Sequence, residues 1–378
     1  MAAKIVRQAN KIAFLGAPTS AAAMSLGNEG APAALRAAGL IERLGEIGYQ
    51  VSDLGDDAPQ LFQPDNESPR ARNVPRILAA LDALKPRVEQ AVKSTALPLI
   101  LSGDCSVALA TVAGVRRYFR HAGMIYMDRD ADLNTPATTL SGCVDGMVVS
   151  HLTGRGAAEL VRFWPEPPLV RDPDLALFGV ARLDPAEEDF LRSALLRHYH
   201  AAEVRRMGPE AAAEIAVDRI HGKTNEFVLH FDVDVIGGFE ATNFSGAGGL
   251  NLEEVRGALE VFAAQPHLAA IEVTGYNPAK DAGASGAKLI VELLVGALAK
   301  RLAALTAPEP AESANAPVVQ TSAEPAEEAA TPAVTPGEAW SSDDLVSPEE
   351  SPDNPAGGES SAEASEPLPS EAEERNSQ

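Results

Sequence analysis

Residues 123–127 form a short apolar run that ends directly in three aspartates at alternate positions, Asp128, Asp130 and Asp132. Much later in the chain the device recurs, when the apolar run Phe227–Phe231 ends in Asp232 and Asp234. Apolar runs of this length, bounded by polar residues, read as buried strands. A strand that delivers carboxylates so densely at its C-terminal end needs a cation. Without one, carboxylates crowded within about 4–6 Å force one another's pKa values upward until some take up protons. The fold must therefore bring two strand ends, and five carboxylates, to one place.

The rest of the body alternates short apolar runs with longer amphipathic segments. The predicted strands are Lys11–Gly16, Gln50–Asp53, Leu97–Ser102, Gly123–Met127, Leu175–Val180, Tyr199–Val204, Glu226–Phe231 and Leu268–Val273. The predicted helices are Pro32–Ile47, Pro75–Ser94 with Pro86 kinking or splitting it, Ser106–Phe119, Pro185–His198, Glu210–His221, Leu252–Ala264 and Gly286–Leu305. Eight strands alternating with helices predict an α/β fold, a mostly parallel sheet covered by helices on both faces. A closed eight-stranded barrel satisfies the same periodicity. Either architecture puts ligand sites outside the C-terminal strand ends. The polar clusters fall there: Asp104 and Cys105, the 128–132 aspartates, Asp184 and Glu187, Asp232 and Asp234, and Gly275-Tyr-Asn-Pro278. One composite site is expected, rather than solvated carboxylates on unrelated loops.

Composition divides the 378 residues in two. From about Thr306 onward the chain is almost wholly Ala, Glu, Pro and Ser, with 17 acidic residues against the single Arg375. So little apolar matter cannot offset the entropy of ordering, and residues 306–378 are expected to be a disordered acidic tail behind a folded domain of residues 1–305. Subtracting the tail's −16 from the whole-chain −23 leaves −7 for the body, which argues against a nucleic-acid partner. The absence of a long apolar run, and of a signal-peptide pattern at the N-terminus, predicts a cytoplasmic protein with no membrane partner. Two cysteines, Cys105 and Cys143, make no disulfide framework and read as reduced thiols.

Three other motif readings compete. The 128–132 aspartates imitate the start of a helix–loop–helix calcium loop, but Leu133 stands where the turn glycine belongs and Thr139 where the bidentate Glu belongs. Asp232-Val-Asp-Val235 imitates the nucleophile motif of haloacid-dehalogenase-type phosphatases, which normally opens its fold instead of closing it. Cys105, at a strand-to-helix turn, has the position of an activated thiol, yet no histidine is locally tied to it.

Several longer stretches together resemble the arginase (ureohydrolase) family over Lys11–Leu305. Leu15-Gly-Ala-Pro18 with Gly30–Leu40 resembles its opening, and SGDCS resembles GGDHS. DRDADLNTPATTLSGCVDG resembles DAHADLNTPxTTxSGNxHG without a gap, HFDVDV resembles SFDVDxxDP, and GYNPAKD resembles EVNPxxD. The resemblance implies a three-layer α/β/α sandwich with an eight-stranded parallel sheet, a trimer or hexamer of identical chains, and two manganese ions. Of the family's two His and four Asp ligands, the aspartates map onto Asp128, Asp132, Asp232 and Asp234, while Cys105 and Asp130 occupy the histidine positions. Asp145 replaces the proton-shuttling histidine, Gly275 the guanidinium-holding glutamate, and Gly237-Gly238 the usual Asp-Pro. The positions that hold the amino-acid end of the substrate are retained as Asn134, Ser141, Asp184 and Glu187.

Manganese takes oxygen ligands, so Asp130 for His is tolerable, whereas a thiolate at Cys105 is soft and suits zinc or iron. Five carboxylates and a thiolate carry up to six negative charges, more than two divalent ions neutralise. The expectation is one tightly held ion, manganese or another divalent metal, with a second held weakly or not at all. A metal-free alternative needs protonated aspartates or a basic side chain such as Arg129 folded in. The reaction implied by the resemblance is attack of a metal-bridging hydroxide on a guanidinium carbon, releasing urea. With these substitutions the first reading is a degenerate member with weak or no such activity that binds a small amino-acid-like or guanidino-like ligand. The second is a working hydrolase of another C–N bond with Asp145 as the proton shuttle, and the third a structural or regulatory subunit.

Overall fold

The computed structural model describes residues 5–221 and 226–307. From residue 308 onward the acidic tail expected above lies outside the described residues. The strands are β1 (Lys11–Ala17), β2 (Gln50–Asp56), β3 (Leu97–Ser102), β4 (Ala122–Met127), β5 (Leu175–Val180), β6 (Arg197–His200), β7 (Glu226–Asp232) and β8 (Leu268–Thr274). They form one sheet in the order β2-β1-β3-β8-β7-β4-β5-β6, and every pairing is parallel. β2 and β6 are its two edges, so the sheet is open and the barrel alternative falls away.

The helices are α1 (Ala31–Ala37), α2 (Leu40–Glu46), α3 (Val74–Lys93), α4 (Ala108–Arg116), α5 (Val148–Leu152), α6 (Ala158–Val161), α7 (Pro185–Leu191), α8 (Ala201–Met207), α9 (Pro209–His221), α10 (Leu252–Ala264) and α11 (Ser285–Thr306). Strand side chains alternate between two cores. Ile125, Met127, Phe227, Leu229 and Phe231 pack with α1, α2 and α8 to α11 on one face. Met124, Tyr126, Ile100 and Val228 pack with α3, α4 and α5 on the other. Strands buried on both faces have to be apolar at every position, which is why they read as continuous runs.

Four elements differ from the sequence-based expectation. The helix predicted over Pro185–His198 ends at Leu191, and its last two residues, Arg197 and His198, open strand β6 instead. The sixth strand ends at His200 instead of reaching Val204, because Ala201–Met207 is rich in helix formers and Val204 enters the core from helix α8. The segment predicted as one helix over Pro32–Ile47 breaks at Gly39, whose φ of 85° is left-handed and opens α2. Conversely, α3 runs unbroken through Pro86, since its buried stripe Ile77, Leu81, Leu84, Val88 continues past the proline and tertiary packing outweighs one lost hydrogen bond.

Candidate metal centre and ligand cleft

Strands β3, β7, β4 and β5 deliver the residues at or just beyond their C-terminal ends to a cleft of about 260 Å³. It is lined by Cys105 after β3, Asp128, Asp130 and Asp132 after β4, and Asp232 and Asp234 at and after the end of β7. Asn134, Ser141, Asp145, Arg182 and Asp184 complete its polar wall. Glu187 is the one predicted site residue that does not line the cleft. Its carboxylate accepts the backbone N–H groups of Leu133 and Asp184, both at 2.8 Å, so it closes the start of α7 and pins the loop that carries Asn134.

Local backbone chemistry fixes the carboxylates. Asp128 Oδ1 accepts the Asp130 N–H at 2.8 Å and Asp232 Oδ1 the Asp234 N–H at 2.8 Å, so each strand turns sharply on its own last aspartate. Asp132 sits in the left-handed region at φ 51°, a conformation Asp tolerates, and its carboxylate accepts the Tyr126 hydroxyl. Asp145 Oδ1 accepts the Cys105 N–H at 2.8 Å. The Cys105 thiol donates to Asp232 Oδ2 at 3.0 Å.

Burial pushes Asp128, Asp132, Asp145 and Asp234 well above the ordinary carboxylate value, and neighbouring carboxylates push them further. Burial first, then Asp145 and Asp232, raises the Cys105 thiol well above its usual value. The cluster therefore binds either protons or a cation.

Half of it has a cation of its own. Arg182 grips Asp130 as a fork, Nε to Oδ1 at 2.7 Å and Nη2 to Oδ2 at 2.6 Å. The buried Arg129 guanidinium donates to the Phe244 carbonyl and lies 3.8 Å from Asp130 Oδ1 and 3.7 Å from Asp234 Oδ2. On the opposite side the fully buried His230 reaches the cluster from within β7. Its Nε2 is 4.0 Å from Asp128 Oδ2 and 3.3 Å from Thr274 Oγ1. Sequence reasoning absorbed His230 into an apolar run and overlooked Arg182. The available signal for the first was a lone imidazole inside a strand of buried residues two positions before a carboxylate pair. For the second it was an arginine directly beyond a strand end.

An open sheet of eight parallel strands between two helical layers, with aspartate pairs closing the ends of two central strands, defines an α/β protein of arginase-like fold. The model of the arginase family matches residues 10–299, and the chain belongs to that family. Among its relatives, the arginase of Bacillus caldovelox is 30% identical over 300 residues, 77% of this chain and 99% of that protein. The arginase of Bacillus subtilis is 28% identical over 296 residues, 77% of this chain and 98% of its own length. The crystal structure of arginase from Bacillus cereus superposes with a TM-score of 0.71 at 30% identity, covering 76% of this chain and 98% of that one.

Proposed function

We propose that this arginase-family protein binds a small amino-acid-like ligand and a single divalent ion, and releases little or no urea. The observation that carries the reading is the Arg182 fork. Asp130, which stands where the resemblance places a metal-binding imidazole, has both oxygens engaged by a guanidinium of the protein itself. A pair of manganese ions does not fit this donor set: one position offers sulfur and the other is already neutralised. Hydrolysis that depends on two ions acting together loses orders of magnitude when one is missing.

Gly275 supports the same conclusion. It occupies the position of the guanidinium-holding glutamate at φ +80°, where a Cβ would come 2.1 Å from Asp232 Oδ1, so the backbone here has settled around the absence of a side chain. At the mouth of the cleft, Asn134 Nδ2 donates to Asp184 Oδ2 at 2.8 Å and Ser141 Oγ accepts the Cys143 N–H at 3.1 Å. By the family resemblance, these are the positions that would hold the ammonium and carboxylate of an amino acid. The homo-oligomer, trimer or hexamer, and the cytoplasmic location belong to the same proposal. Among the described residues no helix is long and apolar enough to cross a membrane.

A second reading, hydrolysis of a different C–N bond, draws on Asp145. Burial and Asp104 raise its carboxyl well above the usual range, and a carboxyl that keeps its proton is what a general acid requires. The test is urea release from arginine and agmatine by the purified full chain with added manganese, alongside a melting screen over amino acids and guanidino compounds. Background-level urea with a melting shift from an amino acid is the expected result. Sustained turnover of arginine would overturn the proposal.

A further inference from the structure

We infer that Cys105, Asp128, His230 and Asp232 form a mixed sulfur, nitrogen and oxygen site for one thiophilic divalent ion of the zinc or ferrous type. This rests on the one-ion reading above and deepens it by naming the donors. The ligating atoms of these four buried residues all lie within 4.8 Å of one another. Zinc bound tetrahedrally at about 2.0–2.3 Å separates its ligands by less than that, so small side-chain adjustments close the shell.

His230 is prepared for the task by its neighbours in the sheet. The register pairs Tyr126 with His230 across β4 and β7, and His230 with Glu272 across β7 and β8, giving one row of side chains beneath the cluster. Tyr126 stacks on the imidazole at a centroid distance of 4.0 Å and an interplanar angle of 2°. Glu272, fully buried, holds Nδ1 at 2.7 Å. An imidazole that donates through Nδ1 to a buried carboxylate presents the lone pair of Nε2, and carboxylate–histidine–metal arrangements of this kind orient the ring and raise its basicity.

Charge and softness agree with this assignment. A thiolate, two carboxylates and a neutral imidazole bring three negative charges to one dication, far fewer than the six that the whole cluster carries when ionised. Of the three remaining aspartates, Asp130 and Asp234 face Arg129 and Arg182 instead, and Asp132 accepts the Tyr126 hydroxyl. Sulfur with imidazole selects zinc or iron over manganese. The cleft thus divides into a metal half, built on β3, β7 and the start of the 128–132 turn, and an arginine half.

The test uses the full chain, stripped with a chelator and reloaded. X-ray absorption at the zinc edge is expected to show one sulfur near 2.3 Å and the multiple scattering of one imidazole. Cobalt loading is expected to add a sulfur-to-metal charge-transfer band that Cys105→Ser abolishes. Glu272→Gln should weaken zinc binding about 10–100-fold while the cobalt spectrum persists at saturation. Where Glu272→Gln fails to fold, the wild-type absorption data still decide. A zinc shell of oxygen alone, or tighter binding of manganese than zinc, would overturn the assignment while leaving the one-ion reading intact. Two equally tight ions per chain would overturn both.

Discussion

Replacing Arg182 by Gln removes the fork on Asp130 and leaves most of the cleft in place. The two hydrogen bonds, at 2.6 and 2.7 Å, join a carboxylate 12% exposed to a guanidinium 53% exposed. Buried hydrogen bonds to charged groups contribute about 1.5–3 kcal/mol each, and the exposure of Arg182 brings the pair down to roughly 1–2 kcal/mol in total. The metal-free variant should lose that much in urea unfolding. It should also gain a site, because Asp130 and Asp234 are then left with Arg129 as their nearest counter-charge. Manganese at a hundred times its dissociation constant would return about 2.7 kcal/mol, a stabilisation larger than the native chain shows at the same manganese concentration. Paired urea titrations of native and variant chains, with and without manganese, measure both quantities. A variant that unfolds at the native midpoint and responds to manganese no more strongly than the native chain would refute the idea that Arg182 stands in for a cation.

Three further outcomes follow from the geometry. Gly275→Glu should not bring back urea release and should cost about 1–3 kcal/mol of stability, because its φ of +80° and the 2.1 Å approach to Asp232 both oppose a side chain; a variant with unchanged melting temperature contradicts this. Burial holds the His151 imidazole down to about 4, so folded His151 is neutral where the unfolded chain binds a proton. Its contribution is present above the ordinary imidazole value of 6.5 and lost as pH falls toward 4, amounting to roughly 3 kcal/mol; urea unfolding of His151→Leu across that window should lack this acid-side loss, and parallel pH profiles would count against it. Ending the chain after Ala307, just beyond α11, should leave the melting temperature unchanged, in keeping with the proposed division near residue 305, and a drop of several degrees would show that the acidic segment supports the body.

The legible parts of the fold were those where one residue type answers one constraint. β3 and β5 are buried at all six positions and so read as unbroken apolar runs. β6, a four-residue edge strand of Arg, His, Tyr and His, carries no such signal, and its end falls earlier than the sequence suggests. At the site, Asp128, Asp132, Asp232 and Asp234 announce themselves because alternate carboxylates closing an apolar run repel one another unless protons or a cation sit among them. His230 carries its meaning through Tyr126 and Glu272, partners on other strands whose register no local pattern reveals. Arg182 meets Asp130 through an isolated bridge between two loops, a pairing invisible until the sheet order is known. Pro86 shows the same limit for helices, tolerated because of packing that lies outside its own segment, whereas Gly39 breaks its helix through its own left-handed backbone.

The arginine fork also changes how the cleft answers to its surroundings. A metal ion is drawn from a pool and leaves when that pool is depleted, whereas Arg182 is tethered by the chain itself, and its local concentration at Asp130 is set by the fold. Half of the cleft therefore keeps its charge balance through metal starvation or exposure to chelators. Only the Cys105, Asp128, His230 and Asp232 half is open to exchange, so a shortage of metal empties one part of the cleft while the other stays assembled.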